Sequence, residues 1–349
     1  MESNMKPDNN CNTVPIEGSI KPLDFMSSSS NSTSIANYHI KNDYKEKDLV
    51  IVITGPTASG KSAVAIELCK AIGGEVVCAD SMQLYRYMDI GTAKPSLEEL
   101  QGIQHHLMDI LDPVQTFSVA DYKLAATKVI NEILSRGNVP VLCGGTGQYL
   151  TTMIEGTVYA QIKSDPALRK GLETKLEECG IDALFDELKD IDPDTAAVLH
   201  KNDIKRILRA IEVYQSTGMT KTQLNKISKE KGPDFNYISF CITHDREILY
   251  ERINQRVDKM IKEGLIEEIK NLLYTFPTLS NTAYQAIGYK EFIPFLQGEI
   301  TLDEAISKVK QATRNYAKRQ TTWFKKMDSL IWINNQSTIQ IVDFIHRNI

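Results

Sequence analysis

The sequence has no CxxC pair and no cluster of cysteine and histidine at zinc-binding spacing. Its six cysteines, Cys11, Cys69, Cys78, Cys143, Cys179 and Cys241, are scattered along the chain. That excludes a zinc module and a disulfide scaffold, and the thiols read as the reduced cysteines of a cytoplasmic protein. No apolar run approaches the roughly 20 residues needed to cross a bilayer, and the opening residues lack the basic-then-apolar order of a secretion signal, so no membrane partner is expected. A basic excess is missing as well. Lys+Arg number 40 against 45 Asp+Glu, a formal net charge of -5, which at first argues against a nucleic-acid partner. What is present is 349 residues with 42% hydrophobic side chains, enough for a packed core and about two domains.

Residues 1–47 are rich in Asn and Ser, poor in periodic apolar residues and free of Arg. Such a stretch buries too little to offset its ordering entropy and reads as a disordered tail rather than a mitochondrial presequence. From Asp48 onward, short apolar runs at Leu49–Thr54, Glu75–Ala79, Val139–Cys143, Ile238–Thr243 and Leu330–Ile333 alternate with helix-length segments. That rhythm predicts an α/β fold with a parallel sheet. Between 156 and 237 only helical patterns occur, including Pro166–Cys179 and Asp203–Ser216. A helical insertion is therefore expected there, between core segments 48–155 and 238–349. Two long helices, over Asp245–Tyr274 and Asp303–Met327, are expected to follow.

The strongest motif is Gly55-Pro56-Thr57-Ala58-Ser59-Gly60-Lys61-Ser62, which matches GxxxxGK[ST] between a strand and a helix. Its glycines permit a backbone nest of N–H groups, Lys61 supplies a charge for a terminal phosphate, and the Ser62 hydroxyl is a ligand for Mg²⁺. A Gly-rich turn that binds nothing is the bland alternative, and the loop alone does not separate ATP-binding enzymes from others that handle phosphoanhydrides. Asp80 ends the second strand, where an open α/β sheet places its ligand crevice, so it can bind Mg²⁺ or accept a proton; a turn or helix-cap Asp is the alternative. Thr146, in Gly144-Gly145-Thr146-Gly147, offers a hydroxyl at another strand end and reads equally as a helix N-cap. His105 and His106 are adjacent on an extended segment, point opposite ways and are taken as structural.

Positive charge is local rather than global. The stretch Lys308–Lys326 holds seven cations and no acid, and Lys310, Arg314 and Lys318 form one helical row suited to a phosphate backbone. In the helix from Asp203, Ile204, Ile207, Leu208 and Ile211 make an apolar stripe that leaves Lys205, Arg206 and Arg209 on other faces.

Several motifs in one order carry a resemblance: GPTASGKS at 55–62, DSMQLYRYMDIGTAKP at 80–95, HHLMDI at 105–110, SVADY at 118–122, GGTGQY at 144–149, SDPALR at 164–169, NDIKRILRAIEV at 202–213, TAYQAIGYKE at 282–291 and TRNYAKRQTTWF at 313–324. From about residue 49 to the end the chain closely resembles the tRNA dimethylallyltransferases. The resemblance implies a P-loop kinase-like core with a helical insertion, and transfer of a dimethylallyl group from its diphosphate to N6 of the adenine 3′ of the anticodon. It implies that Gly55–Ser62 hold the donor diphosphate with Mg²⁺, that Asp80 is the base or hydrogen-bond acceptor for the adenine N6 amine, and that Thr146 and Arg169 lie at the reaction channel and contact tRNA and diphosphate. It further implies that Asp80, Ser81, Met82, Gln83 and Lys205, Arg206, Ile207, Leu208, Arg209 contact the anticodon stem-loop, and it favours a monomeric, bacterial-type enzyme lacking the eukaryotic zinc finger. Lys205 stands where the family often has Gln, and Gln104 where Pro is common. A P-loop small-molecule kinase, an adenylate isopentenyltransferase and an ATP-dependent nucleic-acid switch are the competing readings.

Overall fold

The computed structural model describes residues 49–157, 166–334 and 338–348; the expected tail at 1–47, Cys11 and the Ser164-Asp165 pair lie outside the described residues. In chain order, β1 (Leu49–Thr54), α1 (Lys61–Ile72), β2 (Gly74–Cys78), α2 (Leu97–Leu100), β3 (His105–His106), α3 (Val119–Ser135), β4 (Val139–Gly144) and α4 (Gly147–Ile154) form the first half. Four helices follow: α5 (Pro166–Ile191), α6 (Pro193–Val198), α7 (Ile204–Thr217) and α8 (Lys221–Lys231). The chain then returns through β5 (Asn236–Thr243), α9 (Arg246–Lys262), α10 (Leu265–Thr275), α11 (Asn281–Tyr284), α12 (Ile293–Leu296), α13 (Leu302–Phe324), β6 (Leu330–Asn334) and α14 (Thr338–Asn348).

The six strands make one all-parallel sheet in the order β3-β2-β4-β1-β5-β6, so the α/β expectation holds. Its central strand shows why the apolar runs are continuous. Leu49–Thr54 is buried at every position; Val50 and Val52 pack into the cluster that includes Tyr122, Leu150 and Phe324, while Ile51 and Ile53 pack on the other face with Leu68, Phe240 and Phe344. Alternate side chains serve opposite faces, and both faces carry helices.

At the amino-terminal rim of the sheet, Glu75 of β2 is 5% exposed. It accepts bonds from Arg136 Nη2 (2.8 Å), Asn138 Nδ2 (2.7 Å) and His106 Nε2 (2.6 Å). Burial pushes its carboxyl up, but these donors outweigh that and hold it at about 2.

Helices α5–α8 have an apolar cluster of their own, built on Leu172, Leu184, Leu188, Ile207, Leu208 and Ile211. Asp192 ties α6 to α8, accepting from Thr195 Oγ1 (2.7 Å) and Thr222 Oγ1 (2.6 Å). Burial raises that carboxyl and the Thr222 and Thr195 bonds more than reverse it, so its pKa lies below the usual value. Where this stretch meets the sheet, Lys123 of α3 reaches the Thr157 carbonyl (3.1 Å) and the Asp234 carboxylate (3.4 Å).

Two elements depart from the sequence reading. The expected helix over Asp245–Tyr274 is two helices, because Gly264 takes φ 100 and restarts the turn. The two-residue strand β3 is too short to leave a periodic signal.

Candidate active site

Four segments leave the carboxyl ends of neighbouring strands and converge: Gly55–Gly60 after β1, Asp80–Gln83 after β2, Gly145-Thr146 after β4 and His244 after β5. The first is a curled loop. Gly55 has φ 151, and a Cβ there would lie 2.4 Å from the Ile242 carbonyl oxygen, so no other residue fits. Ala58 (φ 63) and Gly60 (φ 88) take the left-handed conformation that curls the loop, and the Ser59 N–H donates back to the Pro56 carbonyl at 3.2 Å. Two carbonyls of the loop are held by other elements: Arg252 Nε donates to Ala58 O at 2.8 Å and His244 Nε2 to Ser59 O at 3.1 Å. With those oxygens engaged, the start of α1 presents N–H groups of a kind that suits an anion.

Beside the loop lies a cavity of about 350 Å³. Thr57, Ala58, Gly60, Lys61 and Ser62 line one side, Asp80 and Gln83 another, Thr92, Ala93 and Pro95 a third, and Arg252 and Arg256 of α9 a fourth. A narrower recess of about 20 Å³ runs from Lys61, Ser62 and Asp80 toward Cys78, Cys143 and His105. Enclosure lowers the pKa of the Lys61 ammonium, and the nearby Asp80 carboxylate opposes that shift. Arg256 is likewise lowered by burial and, next, by the Arg252 charge beside it. Lys61, Arg252 and Arg256 share this cavity with the carboxylates of Asp80, Glu67 and Glu99, and Glu99 and Asp80 oppose the shift at Arg256, so the lining offers both signs of charge to a ligand. Burial raises the thiols of the recess, Cys143 to about 11 and Cys78 further, which disfavours their thiolates.

Asp80 is fixed by its neighbours. Its Oδ1 accepts the Met82 N–H at 3.0 Å, and the Ser81 N–H donates to Thr146 Oγ1 at 2.9 Å. Thr146 occupies the N-cap position of α4, yet its hydroxyl makes no capping bond; it braces the turn that carries Asp80. Ser81, Met82 and Thr146 do not line the cavity. Gln83 does, and its Nε2 donates to the carbonyls of Thr92 and Ala93, both at 3.2 Å. Glu268 of α10 holds the start of that wall, accepting the N–H groups of Asp89 (3.0 Å), Ile90 (2.7 Å) and Gly91 (3.0 Å) and the Tyr289 hydroxyl (2.6 Å).

Other expected site residues lie elsewhere. Arg169 is not on the cavity; its Nε donates to Glu173 at 2.9 Å, and its guanidinium stands 3.6 Å from Glu212, a buried carboxylate of α7 that also pairs with Arg209 at 3.1 Å. Ile207 and Leu208 are 0% and 2% exposed, so their side chains pack the α5–α8 core and cannot touch RNA; Lys205 is exposed, and Arg206 is exposed beside Asp203 at 3.6 Å. Ile204 departs from the apolar stripe and is exposed. The row on α13 is also not a free one. Lys310 pairs with Asp258 at 2.7 Å and Arg314 donates to Asn254 at 2.7 Å, both on α9. His105 Nδ1 meets the Ile103 carbonyl at 2.9 Å while His106 meets Glu75.

Arg252 and Arg256 escaped the motif reading. The one available signal was their i, i+4 spacing on a helix entered directly from a strand end.

A divalent cation of the hard type takes oxygen donors and keeps several waters. The Ser62 hydroxyl and the Asp80 carboxylate line the same cavity, so these residues fit Mg²⁺ shared with a phosphate ligand. Among the described residues no helix is long and apolar enough to cross a membrane.

The family model described as IPP transferase matches residues 83–327. The tRNA dimethylallyltransferase of Acetivibrio thermocellus is 48% identical over 82% of this chain and 92% of that protein; the one of Halothermothrix orenii is 44% identical over 86% and 92%. Among solved structures, a tRNA isopentenylpyrophosphate transferase of Staphylococcus epidermidis superposes with a TM-score of 0.63 at 39% identity, covering 86% of this chain and 98% of its own. A eukaryotic dimethylallyltransferase acting on tRNA gives a TM-score of 0.77 at 30% identity, covering 86% and 80%.

Proposed function

The chain belongs to the IPP transferase family, and from that premise we propose that it transfers a dimethylallyl group from dimethylallyl diphosphate to N6 of the adenine 3′-adjacent to the anticodon of tRNA. The observation that carries this reading is the single cavity on which the start of α1 with Lys61, Arg252, Arg256 and Asp80 meet. The relatives named above support tRNA as the acceptor, and the kinase and free-nucleotide alternatives gain no such support.

An exocyclic adenine amine is a weak nucleophile because its lone pair is delocalised into the ring. The barrier is therefore lowered mainly by stabilising the leaving group and aligning the reactants. The amides of Gly60, Lys61 and Ser62 and the cations Lys61, Arg252 and Arg256 hold the diphosphate and take up its charge as the allylic C1–O bond breaks and both electrons leave on oxygen. The N6 lone pair forms the new bond to C1. Asp80, held by the Met82 N–H, orients the amine through one N6 hydrogen and accepts that proton as the N6–C1 bond forms. Mg²⁺ held by Ser62 and the diphosphate would add electrophilic neutralisation of the leaving group. The adenine enters only after it is drawn out of its stack, which costs a few kcal/mol. Exposed Lys205 and Arg206 on α7, with Lys318 on α13, are assigned to the RNA backbone.

The test is incubation with Mg²⁺, labelled dimethylallyl diphosphate and an unmodified anticodon stem-loop. Label on the RNA is expected; ATP turnover without RNA labelling would overturn the reading.

A further inference from the structure

Gln320 of α13 is a polar side chain left only 5% exposed, and both ends of its amide are used. Its Oε1 accepts the Thr57 N–H at 2.8 Å, and its Nε2 donates to the Gly145 carbonyl at 2.8 Å. A flipped amide would set NH₂ against N–H and oxygen against oxygen, so the partners fix its orientation. Gly145 is shaped around this contact, since a Cβ there would lie 2.4 Å from Gln320 Nε2. Tyr316, one turn earlier on α13, hydrogen-bonds the same amide.

The two backbone groups belong to opposite halves of the site. Thr57 lies in the phosphate loop, next to the residues whose carbonyls Arg252 and His244 hold. Gly145 precedes Thr146, whose hydroxyl braces Ser81 beside Asp80. Gln320 itself is not on the cavity. One side chain thus spans the donor wall and the acceptor wall.

We propose that Gln320 is a positioning residue for prenyl transfer, setting the separation between the phosphate loop and the Thr146–Asp80 wall so that C1 and N6 meet at attack distance. This rests on the prenyl-transfer reading above. A displacement of ~1 Å in such an arrangement costs on the order of a hundredfold in rate while leaving ground-state binding nearly untouched. Loss of either bond also leaves the part-buried Thr57 N–H or the buried Gly145 carbonyl without that partner, which relaxes the spacing between the two walls.

Two variants test it. Gln320→Met fills the same volume without either bond. It should keep the KM for dimethylallyl diphosphate within about threefold and lower kcat by roughly ten- to a hundredfold. Gln320→Glu separates the two bonds by pH. A neutral carboxyl reproduces both, its carbonyl facing Thr57 and its O–H facing Gly145; a carboxylate keeps the first and opposes the second. The kcat of Gln320→Glu relative to wild type, measured from about pH 8.5 to about pH 6, should therefore rise as pH falls, by about tenfold or more. A flat ratio, or kcat and KM moving together in step with a lowered melting temperature, would overturn the proposal; if Gln320→Met does not fold, the pH profile of Gln320→Glu decides alone. Wild-type protein that labels no RNA would instead sink the prenyl-transfer reading. Hydrogen exchange at 55–62 and 144–149, faster in both segments of Gln320→Met, reads the clasp without any activity.

Discussion

Two pairs of arginines stand on helices of this protein and differ in what faces them. Arg252 and Arg256 line the cavity on α9, with one guanidinium beside the other and Lys61 nearby. Arg169 and Arg209, in the α5–α8 stretch, share the buried carboxylate of Glu212. The first pair lines an open cavity that it shares with Asp80 and Glu99, whereas the second is paired directly with a carboxylate. Cations that line a cavity without being closed into a direct ion pair mark an anion site more sharply than a motif does, because they still have hydrogen bonds to offer a ligand.

That contrast can be broken in several ways. Its fixed point is Asp80, a carboxylate on the same cavity as Lys61, Arg252 and Arg256: Asp80→Ala should lower kcat about 10³-fold while anticodon stem-loop affinity stays within about threefold. A near-normal rate would remove Asp80 as the base. Next, Arg256→Gln should reduce kcat/KM for dimethylallyl diphosphate about 10²-fold, whereas Arg169→Gln should leave the donor KM within about threefold. Equal losses in the two donor titrations would erase the distinction between the pairs.

A smaller effect concerns stability. Glu75, like Glu212, is a buried carboxylate with several donors, and it is held at about 2 against an ordinary 4.5. A depressed carboxyl stabilises the fold above its unfolded pKa and loses that contribution as pH falls toward the folded one. Glu75→Gln should therefore cost about 1–3 kcal/mol near neutral pH in denaturant melts, with the gap to wild type closing between about pH 4.5 and about pH 2. A gap that persists at low pH would mean that the amide is lost for packing reasons. Smallest of all, Lys318→Ala should shift stem-loop affinity by less than about threefold and lower the log–log salt slope by roughly one unit, while Lys310→Met, removing a cation already paired with Asp258, should leave the slope alone.

Much of this molecule was legible in one dimension because its signals are short-range. The strand at Leu49–Thr54, the turn at Gly55–Gly60 and the placement of Asp80 at a strand end follow from local spacing and from the geometry of parallel sheets. What a sequence cannot display is which charges meet. Lys310 and Arg314 looked like a free cationic row, yet Asp258 and Asn254 on a helix about fifty to sixty residues earlier take them up. Ile207 and Leu208 belong to a motif that reads as an RNA contact, while the same residues are the apolar stripe that closes the α5–α8 core. Gln320 and Arg256 act through partners scattered along the chain, so no window of sequence contains the reason for either. The break at Gly264 was hidden by apolar periodicity that continues across it.

The all-parallel sheet has one more result, which concerns adaptation. Since every strand points the same way, the residues of the candidate site collect at one rim and the Glu75 anchorage sits at the opposite one. Heat tolerance and turnover therefore answer to different sets of residues. A lineage of such proteins can move to hotter or more acidic surroundings by editing the amino-terminal rim while its chemistry stays where it was.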